Sequence, residues 1–404
     1  MNKNQGELLF RSIFFLIYII SNSLFVIIST SSLRFSMIVV MIFVVFLITG
    51  INSEKLLRIN KSYMFISILV FLAVIFHSII TGIFIDNYNI TRAFLSLILL
   101  ILMFTTAPLL ANLFESIEKI TFYKTIIQSY YCLLFIGFLS VILQKGNFLY
   151  GKEMLLFNEP SHYALVLLPL CLYYMILSKH NKKNYHLLVL TFLALLLENL
   201  TFIVGIIFIL ILVNWKYKYR IILFISGLLF FFSTFDFPSI SYYSNRLLIN
   251  KSSNNLSVLV FVSGWERAYD ALIDTYGIGI GIQNLGYAGN IGASMEKIGF
   301  LLNGTFINLY DGGTLAPKII AEFGLIGVIA LIYYIRTSYK LIKVLVTKNN
   351  DDLISVFFVS IFLMFNVQLF VRGVGYFSPM SYMFATAAYV IFVEKILTGK
   401  LEIN

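Results

Sequence analysis

Long apolar segments follow one another along almost the whole chain, and this succession restricts the possible folds more than any other feature. A helix that crosses a bilayer needs about 20 mostly apolar residues, and segments of this kind recur between residues 10 and 395. Hydrophobic residues make up 60% of the chain and charged residues 12%, against roughly 25% charged residues in soluble domains. A water-soluble core cannot cover so much apolar surface. We therefore predict an all-α polytopic membrane protein.

The apolar segments predict about twelve transmembrane helices. They lie near residues 10–30, 35–51, 63–84, 93–113, 125–143, 160–178, 186–198, 200–214, 220–235, 317–335, 353–370 and 380–395. Basic residues cluster in alternate connecting segments, which the positive-inside rule makes cytoplasmic. An even number of spans then places both termini in the cytoplasm, and the first span is predicted to be retained rather than cleaved. The net charge of +10 thus indicates orientation and not nucleic-acid binding.

The segment from Tyr185 to Asn214 is bounded by basic clusters at both ends, so it must cross twice or not at all. Its 30 residues provide two helices of only about 22 Å each, which is less than a hydrocarbon core of about 30 Å. We predict a short hairpin with its tip at Glu198 and Asn199, below the outer surface. A carboxylate at that depth faces a cavity or a partner; the alternative is that Glu198 belongs to a turn shielded by other helices.

One long segment departs from the spanning pattern and divides the chain into three parts. Residues 1–235 carry the first nine spans, residues 236–316 form one large extracytoplasmic loop, and residues 317–404 carry the last three spans with the C-terminus. Long loops in compact proteins are usually functional or disordered, and the apolar runs here argue against disorder. Trp265 to Ile273 has the spacing of an amphipathic helix.

Motifs typical of soluble enzymes are absent from the sequence. There is no phosphate-binding loop, no His-Glu-x-x-His and no Gly-x-Ser-x-Gly. Gly277-Ile-Gly279-Ile-Gly281 has no third glycine at the spacing that a dinucleotide loop requires. The four histidines are scattered, so we predict neither a metal nor a cofactor.

The first polar motif, Asn158-Glu159-Pro160-Ser161-His162-Tyr163-Ala164, opens the sixth predicted span. Pro160 suits the first turn of a helix, so an ordinary capped helix is one interpretation. The other is chemical: Glu159 and His162 are three residues apart and share one helix face, which directs an acid and a base at one place.

Three further motifs lie in or after the long loop. The first is Ser263-Gly264-Trp265-Glu266-Arg267-Ala268, in which the guanidinium of Arg267 is suited to binding phosphate or carboxylate, and Arg246 upstream could supply a second one. The alternative is that Arg267 forms an ion pair with a glutamate inside the loop. The second is Asp311-Gly-Gly-Thr-Leu-Ala-Pro-Lys318, which continues into Glu322-Phe-Gly-Leu-Ile-Gly327. Lys318 and Glu322 are four residues apart and can form an ion pair. Gly324 and Gly327 favour close packing of helices. Arg372 is a lone cation in a short outer loop.

The order of these motifs along the chain, and their predicted position on the extracytoplasmic side of the membrane, resemble those of bacterial O-antigen polymerases of the Wzy type. The likeness rests on Asn158–Ala164, Gly264–Ala268, Gly279-Ile-Gly-Ile-Gln283-Asn-Leu-Gly286 and Asp311–Gly327, and the predicted topology is similar over essentially the whole chain. Each motif is short, and their order makes the match moderately specific.

The resemblance implies a glycosyltransferase, similar to membrane-embedded enzymes with lipid donors, that joins undecaprenyl-diphosphate-linked oligosaccharide units into O-antigen or a related surface polysaccharide. It would work at the periplasmic face of the inner membrane, without a metal, and with a chain-length regulator protein as a possible partner. Glu159 or His162 would be the general base. The implied contacts of the substrate are Arg267 and Arg246 at the diphosphate, with Arg372, Trp265, Glu266, Gln283, Asp311 and Lys318 as further candidates.

Two alternatives remain open. O-antigen ligases share this architecture and transfer the lipid-linked glycan to lipid A-core, but they carry a His shortly before a similar Gly-x-x-Gly, where this chain has Gly312, Gly313 and Thr314. A flippase for the same lipid-linked units is the second alternative. Transporters often show two related halves, whereas the polar motifs here gather on one side.

Overall fold

A computed structural model describes residues 3–23, 34–50, 54–57, 59–146, 148, 153–223, 226–227, 253–347 and 352–397. Within these ranges helices make up 80% of the structure and no β-strand occurs. The helices are α1 Lys3–Phe15, continued by a π-helical turn Leu16–Ile20, α2 Arg34–Gly50, α3 Glu54–Leu57, α4 Lys61–Phe84, α5 Ile90–Ser116, α6 Lys119–Lys145, α7 Pro160–Leu177, α8 His180–Leu196, α9 Leu200–Val213, α10 Leu256–Asp274, α11 Ala293–Leu301, α12 Leu315–Thr347, α13 Leu353–Phe370 and α14 Pro379–Leu397.

Seven helices in the described ranges are long and apolar enough to cross a membrane, which is the architecture of a polytopic membrane protein. They are Gln5–Ser23, α4, α5, α6, α7, Leu315–Val346 and α13. Ser36–Gly50 and Pro379–Val393 are apolar but shorter. The predicted all-α class is confirmed, while the count of about twelve stays a prediction. The predicted span 220–235 lies mostly outside the described residues.

Asparagine side chains fix where several helices begin. Asn60, Asn89, Asn199 and Asn255 are the N-caps of α4, α5, α9 and α10, and each accepts a backbone N–H of the first turn. Capping of this kind satisfies N–H groups that have no partner inside the helix. The sequence therefore sets these boundaries through contacts within the first turn of each helix.

The short hairpin predicted between Tyr185 and Asn214 is present. α8 has 17 residues and α9 has 14, and the chain reverses at Glu198, which has a φ of 47°. After α9 the chain bends by 97° into a helical segment Trp215–Leu223. Both helices of the hairpin are therefore shorter than the 18 residues of the shortest helices long enough to cross a membrane.

The core of the bundle lies around α7 and α13. In their most apolar stretches, 83% of the residues of α7 and 72% of those of α13 are buried, against 17% for α4. α7 packs against α13, α9 and α6, and α13 also packs against α14. Since α4 leaves most of its apolar side chains uncovered, it lies at the lipid-facing edge, whereas the first residues of α7 lie over the centre of the bundle.

Helix α12 is broken near its start, and the loop before it fills the break. Gly324 has a φ of 59° and a ψ of −135°, so the predicted span at 317–335 is present within Leu315–Val346 but is kinked. The close packing predicted at Gly324 is made against the backbone of a loop, at Gly277, and not against a second helix. The N–H of Leu325 donates to the carbonyl of Gly277 (2.8 Å). A Cβ on Gly279 would lie 2.5 Å from the Gly324 nitrogen. The Gly277–Gly281 repeat thus serves close backbone approach, which only glycine allows.

The polar loops meet at one end of the bundle. Asn89, at the start of α5, donates its N–H to the Asn284 side chain at 2.6 Å, and Gly373, after α13, donates to the Gly313 carbonyl at 2.9 Å. At the start of α6 and α13, Lys119 and Asp352 pair at 3.6 Å. Because these helices run from that ion pair towards the polar loops, the pair marks the opposite end.

Candidate active site

The N-terminus of α7 presents the first polar motif to the centre of this end. Pro160 is the first helical residue, and Glu159 precedes it in an extended conformation with a φ of −152°. Proline favours this position because its missing N–H would be unpaired there in any case. Glu159 occupies the N-cap, yet its side chain makes no capping hydrogen bond. The interpretation of this motif as an ordinary capped helix therefore leaves its carboxylate unexplained.

The Glu159 carboxylate lies at the centre of a compact polar cluster with Ser161, His162 and Arg372, which we call the Glu159 cluster. Its Oε1 accepts a hydrogen bond from a terminal nitrogen of Arg372 at 2.6 Å and from the Ser161 hydroxyl at 2.6 Å. The Nε2 of His162 lies 3.2 Å from the same oxygen. The side chains of Glu159, Arg372 and His162 are 28%, 24% and 14% exposed. The predicted approach of Glu159 and His162 is confirmed.

The charge state of Glu159 follows from this cluster. Burial alone would raise the pKa of the carboxyl, but Arg372, His162 and the hydrogen bonds from Ser161 and Arg372 outweigh it and lower the pKa to about 2. A carboxylate that is ionised at every physiological pH and holds several donors on one oxygen is a weak proton acceptor. Glu159 is therefore better suited to orienting His162 and Arg372 than to acting as a base.

Arg372 reaches Glu159 because two glycine-containing loops pack against each other. The backbone N–H of Arg372 donates to the Val367 carbonyl at 3.0 Å, which closes the end of α13. The next residue, Gly373, bonds Gly313 and leaves no space for a side chain, because a Cβ there would lie 2.7 Å from the Leu315 nitrogen. The packing of Gly373 against this loop therefore places the guanidinium of Arg372 beside the Asp311–Lys318 motif.

A cavity of about 570 Å³ opens beside the Glu159 cluster. Its wall contains two cations, Arg372 and Lys145, the latter at the end of α6, and the hairpin tip contributes Glu198 and Asn199. Most of the remaining wall is apolar, with Val258 and Phe261 from α10 among its residues. The prediction that Glu198 faces a cavity is confirmed, and the wall carries two cations and two carboxylates, Glu159 and Glu198, beside its apolar side chains.

Lys318 forms the centre of a second, buried network. Its side chain is fully buried, and its Nζ donates to the Tyr310 carbonyl at 2.6 Å and lies 3.5 Å from Asp311 and 3.9 Å from Glu322. Glu322 in turn accepts the N–H of Gln283 at 2.8 Å. The alternative of a Lys318–Glu322 pair is confirmed. These residues hold the long loop to the broken helix, and the cavity wall does not include them.

Arg267 does not meet Glu159, contrary to the arrangement that the sequence suggested. It is 2% exposed, its NH1 donates to the Leu309 carbonyl at 2.7 Å, and burial lowers its pKa to about 10. Its neighbour Glu266 accepts the N–H of Ser294 at 2.9 Å. The side chains of Arg267 and Glu266 thus both bind backbone groups of the long segment 236–316 to which they belong. Arg372, not Arg267, is the arginine beside the predicted base.

The other predicted site residues lie apart from the Glu159 cluster. Trp265 is partly exposed on the surface of α10, and Gln283 is buried with its backbone bound to Glu322. Asp311 shares the Lys318 network, although its charge acts on His162. Arg246 lies outside the described residues.

Sequence reasoning missed Lys145 and Ser161. Lys145 ends α6 at the end of the bundle where the polar loops meet, which the sequence predicts to be extracytoplasmic, and a basic residue there runs against the positive-inside bias. This departure from the positive-inside bias was the sequence signal that Lys145 could have a functional role. Ser161 carried no comparable signal, because serine near a helix start is common.

No family model, no curated protein and no solved structure matches this chain. Within the described ranges, no group of three His, Cys, Asp or Glu side chains is placed to hold a metal ion. The assignment of a function therefore depends on the geometry of the site and on the resemblance of the short motifs.

Proposed function

We propose that this protein is a glycosyltransferase of the bacterial inner membrane that joins undecaprenyl-diphosphate-linked oligosaccharide units into O-antigen or a related surface polysaccharide. The observation that carries the proposal is a cavity whose wall joins two cations, Lys145 and the Arg372 of the Glu159 cluster, to apolar side chains from several helices. A lipid diphosphate has this division of charge and apolar chain. With about twelve spans and both termini cytoplasmic, the cavity opens on the periplasmic side.

The cations of the cavity suit the leaving group. Arg372 gives one terminal nitrogen to Glu159 and keeps further N–H donors in the plane of its guanidinium, a geometry that matches phosphate oxygens. Lys145 supplies a second positive charge on the same wall. When the glycosyl–oxygen bond breaks, these two groups stabilise the negative charge that develops on the diphosphate.

In this proposal the general base is His162, which is not itself part of the cavity wall but contacts Glu159, which is. Its Nε2 faces the ionised Glu159 at 3.2 Å, so a neutral imidazole that donates there carries its lone pair on Nδ1. In the reaction an acceptor hydroxyl attacks the anomeric carbon of the growing glycan, the hydroxyl proton passes to His162, and undecaprenyl diphosphate leaves. Glu159 then stabilises the imidazolium and acts as a positioning residue.

The motifs around Arg267, Lys318 and Glu322 have a different part in this proposal. Their side chains bind the backbone of the loop and of the broken helix, so they shape the outer end of the bundle on which the site is built. Substitutions there are expected to act through the amount of folded protein, whereas substitutions in the Glu159 cluster are expected to lower transfer per folded molecule.

The test uses purified protein in vesicles with lipid-linked oligosaccharide units. We expect chains of several units from the wild type, and single units from His162→Gln and Arg372→Gln at an equal protein level. Lys119→Gln is the matched control, because Lys119 is an exposed cation at the opposite end of the bundle. Normal chain extension by both site variants would refute the assignment of residues.

The same assay separates the alternatives. A ligase leaves lipid-linked units unextended and transfers glycan only after lipid A-core is added, and a flippase changes the sidedness of the units without changing their length. Either result would refute the polymerase proposal.

A further inference from the structure

Helix α10 has three distinct faces, and protein covers only two of them. The first face packs on α12 and the loops next to it: Gly264, Ala268 and Ala271 are buried, and a Cβ on Gly264 would collide with the Gly312 carbonyl. The second face is polar and binds the loop that follows, through Glu266 to the Ser294 N–H at 2.9 Å and Asp274 to the Asn290 amide at 2.8 Å.

The third face is aromatic and uncovered. Trp265, Tyr269, Ile273 and, just past the helix end, Tyr276 follow one another at intervals of four, four and three residues, so they form one stripe. Their exposed fractions are 36%, 66%, 59% and 94%. A contiguous exposed patch of this kind marks a surface that contacts something other than water.

This stripe continues directly into the lipid-facing surface of α12. The Leu325 N–H donates to the Gly277 carbonyl at 2.8 Å, so the end of the stripe adjoins the break in that helix. From there Leu325, Ile326 and Ile329 are exposed along the spanning part of α12. Because a membrane must cover those side chains, the apolar surface beside them lies at the edge of the same bilayer.

The residue types and the polar neighbours indicate the depth. Tryptophan and tyrosine are enriched at the membrane–water interface, where their rings are apolar and their polar ends remain hydrated. Asp274 lies on the opposite side of α10 from Trp265, nine residues along the helix, and it is exposed there. One side of α10 therefore suits lipid and the other suits water, as in helices that lie in the interface.

We propose that α10 is an interfacial membrane helix whose Trp265–Tyr276 stripe is inserted among the headgroups and upper acyl chains of the outer leaflet. The segment predicted as an extracytoplasmic loop is then partly a membrane-surface element. Val258 and Phe261 at the other end of α10 line the cavity, so the cavity lies beside the same lipid layer. This proposal does not depend on which reaction the cavity supports.

The chain contains only two tryptophans, Trp215 and Trp265, which allows a direct test by fluorescence. The Trp215→Phe variant leaves Trp265 as the sole tryptophan of the full-length protein, reconstituted in phosphatidylethanolamine–phosphatidylglycerol vesicles. Its emission is quenched either by lipids with a nitroxide near the top of the acyl chain or by aqueous iodide. The matched control carries Trp215→Phe, Trp265→Phe and Asp274→Trp, which moves the single tryptophan to the polar side of the same helix.

We expect nitroxide lipids to quench Trp265 strongly and iodide to quench it weakly, with the reverse order for the Asp274→Trp control. Strong quenching of Trp265 by iodide together with weak quenching by nitroxide lipids would place the stripe in water and overturn the proposal. Weak quenching by both would mean that a protein surface, such as a second copy of this chain, covers the stripe, and it would overturn the proposal as well.

Discussion

The ion pair between Glu159 and Arg372 should be strongly coupled, and a double-mutant cycle measures this coupling. Glu159→Gln leaves Arg372 as an unpaired cation, and Arg372→Gln leaves Glu159 as an unpaired carboxylate, each about three-quarters buried. Removing one partner of a buried pair costs more than removing both, because the remaining charge has lost its compensation. The sum of the two single losses should therefore exceed the loss in the double variant.

The geometry sets the size of this coupling. The 2.6 Å contact is a charge-assisted hydrogen bond, for which about 1.5–3 kcal/mol is typical. Solvent reaches 24% and 28% of the two side chains, which screens the pair in part, so we expect a coupling of about 2 kcal/mol. An exposed surface pair would give only about 0.2–1 kcal/mol.

The assay is unfolding in mixed micelles at neutral pH, with the free energy of unfolding obtained for the wild type, both single variants and the double variant. The exposed pair Lys119–Asp352, at 3.6 Å, supplies a control cycle measured in the same micelles. A Glu159–Arg372 coupling below about 0.5 kcal/mol, or no larger than the control coupling, would refute the reasoning that burial and geometry make this pair strong.

Three further predictions follow from particular contacts. Gly324→Ala should prevent accumulation of folded protein, since a Cβ there collides with the Gly277 carbonyl at a φ of 59°; membrane yield measures this. Lys318→Met should lower the free energy of unfolding by about 3–5 kcal/mol because Glu322 is left as an uncompensated buried charge; micelle unfolding measures it. The pKa of Glu159 is about 2, below its ordinary 4.5, so the contribution of this carboxylate to stability is complete above about pH 4.5 and is lost as the pH falls towards 2. At roughly 1.36 kcal/mol per pKa unit, the contribution amounts to roughly 3 kcal/mol. The difference in the free energy of unfolding between the wild type and Glu159→Gln measures it.

Each of these predictions has its own control. Gly50→Ala introduces a Cβ with nothing within 4 Å and should leave the yield unchanged, and normal yield of Gly324→Ala would contradict the steric argument. Adding Glu322→Gln to Lys318→Met should restore part of the lost stability, and no restoration would contradict the charge argument. For Glu159, a stability difference from Glu159→Gln that is equal at pH 7 and pH 3 would contradict the lowered pKa.

The sequence determined the helical class and several boundaries because these depend on local properties. Apolar length predicts spans, and Asn60, Asn89 and Asn199 cap helices within their own first turn. The short hairpin was predictable for the same reason, as its length and its flanking basic residues are both visible in the chain. The break in α12 was not, because Gly324 adopts its conformation only against the backbone of Gly277, which is distant in sequence.

The composition of the site was only partly predictable, because a motif shows which residues are neighbours along the chain and not across it. Glu159 and His162 lie in one helical turn, so their approach followed from spacing. Arg372 reaches Glu159 from 213 residues away, through a loop whose packing no local pattern records. Arg267 was more conspicuous in sequence because it stands in a longer motif, yet that motif is required for packing.

The motifs around Arg267 and Lys318 are conspicuous in the sequence for a structural reason. Glycines such as Gly264, Gly313 and Gly373 are needed where backbones touch, since a Cβ at each would approach backbone atoms of another loop. Such contacts constrain several neighbouring residues at once, which produces long recognisable motifs. A cation with the phosphate-binding role proposed for Lys145 needs only to reach the cavity, so a single residue suffices and leaves no pattern around it. The cavity wall therefore complements the motifs: it adds Lys145 and joins Arg372 to Glu159, while the Asn158–Ala164 motif supplies Glu159 and His162.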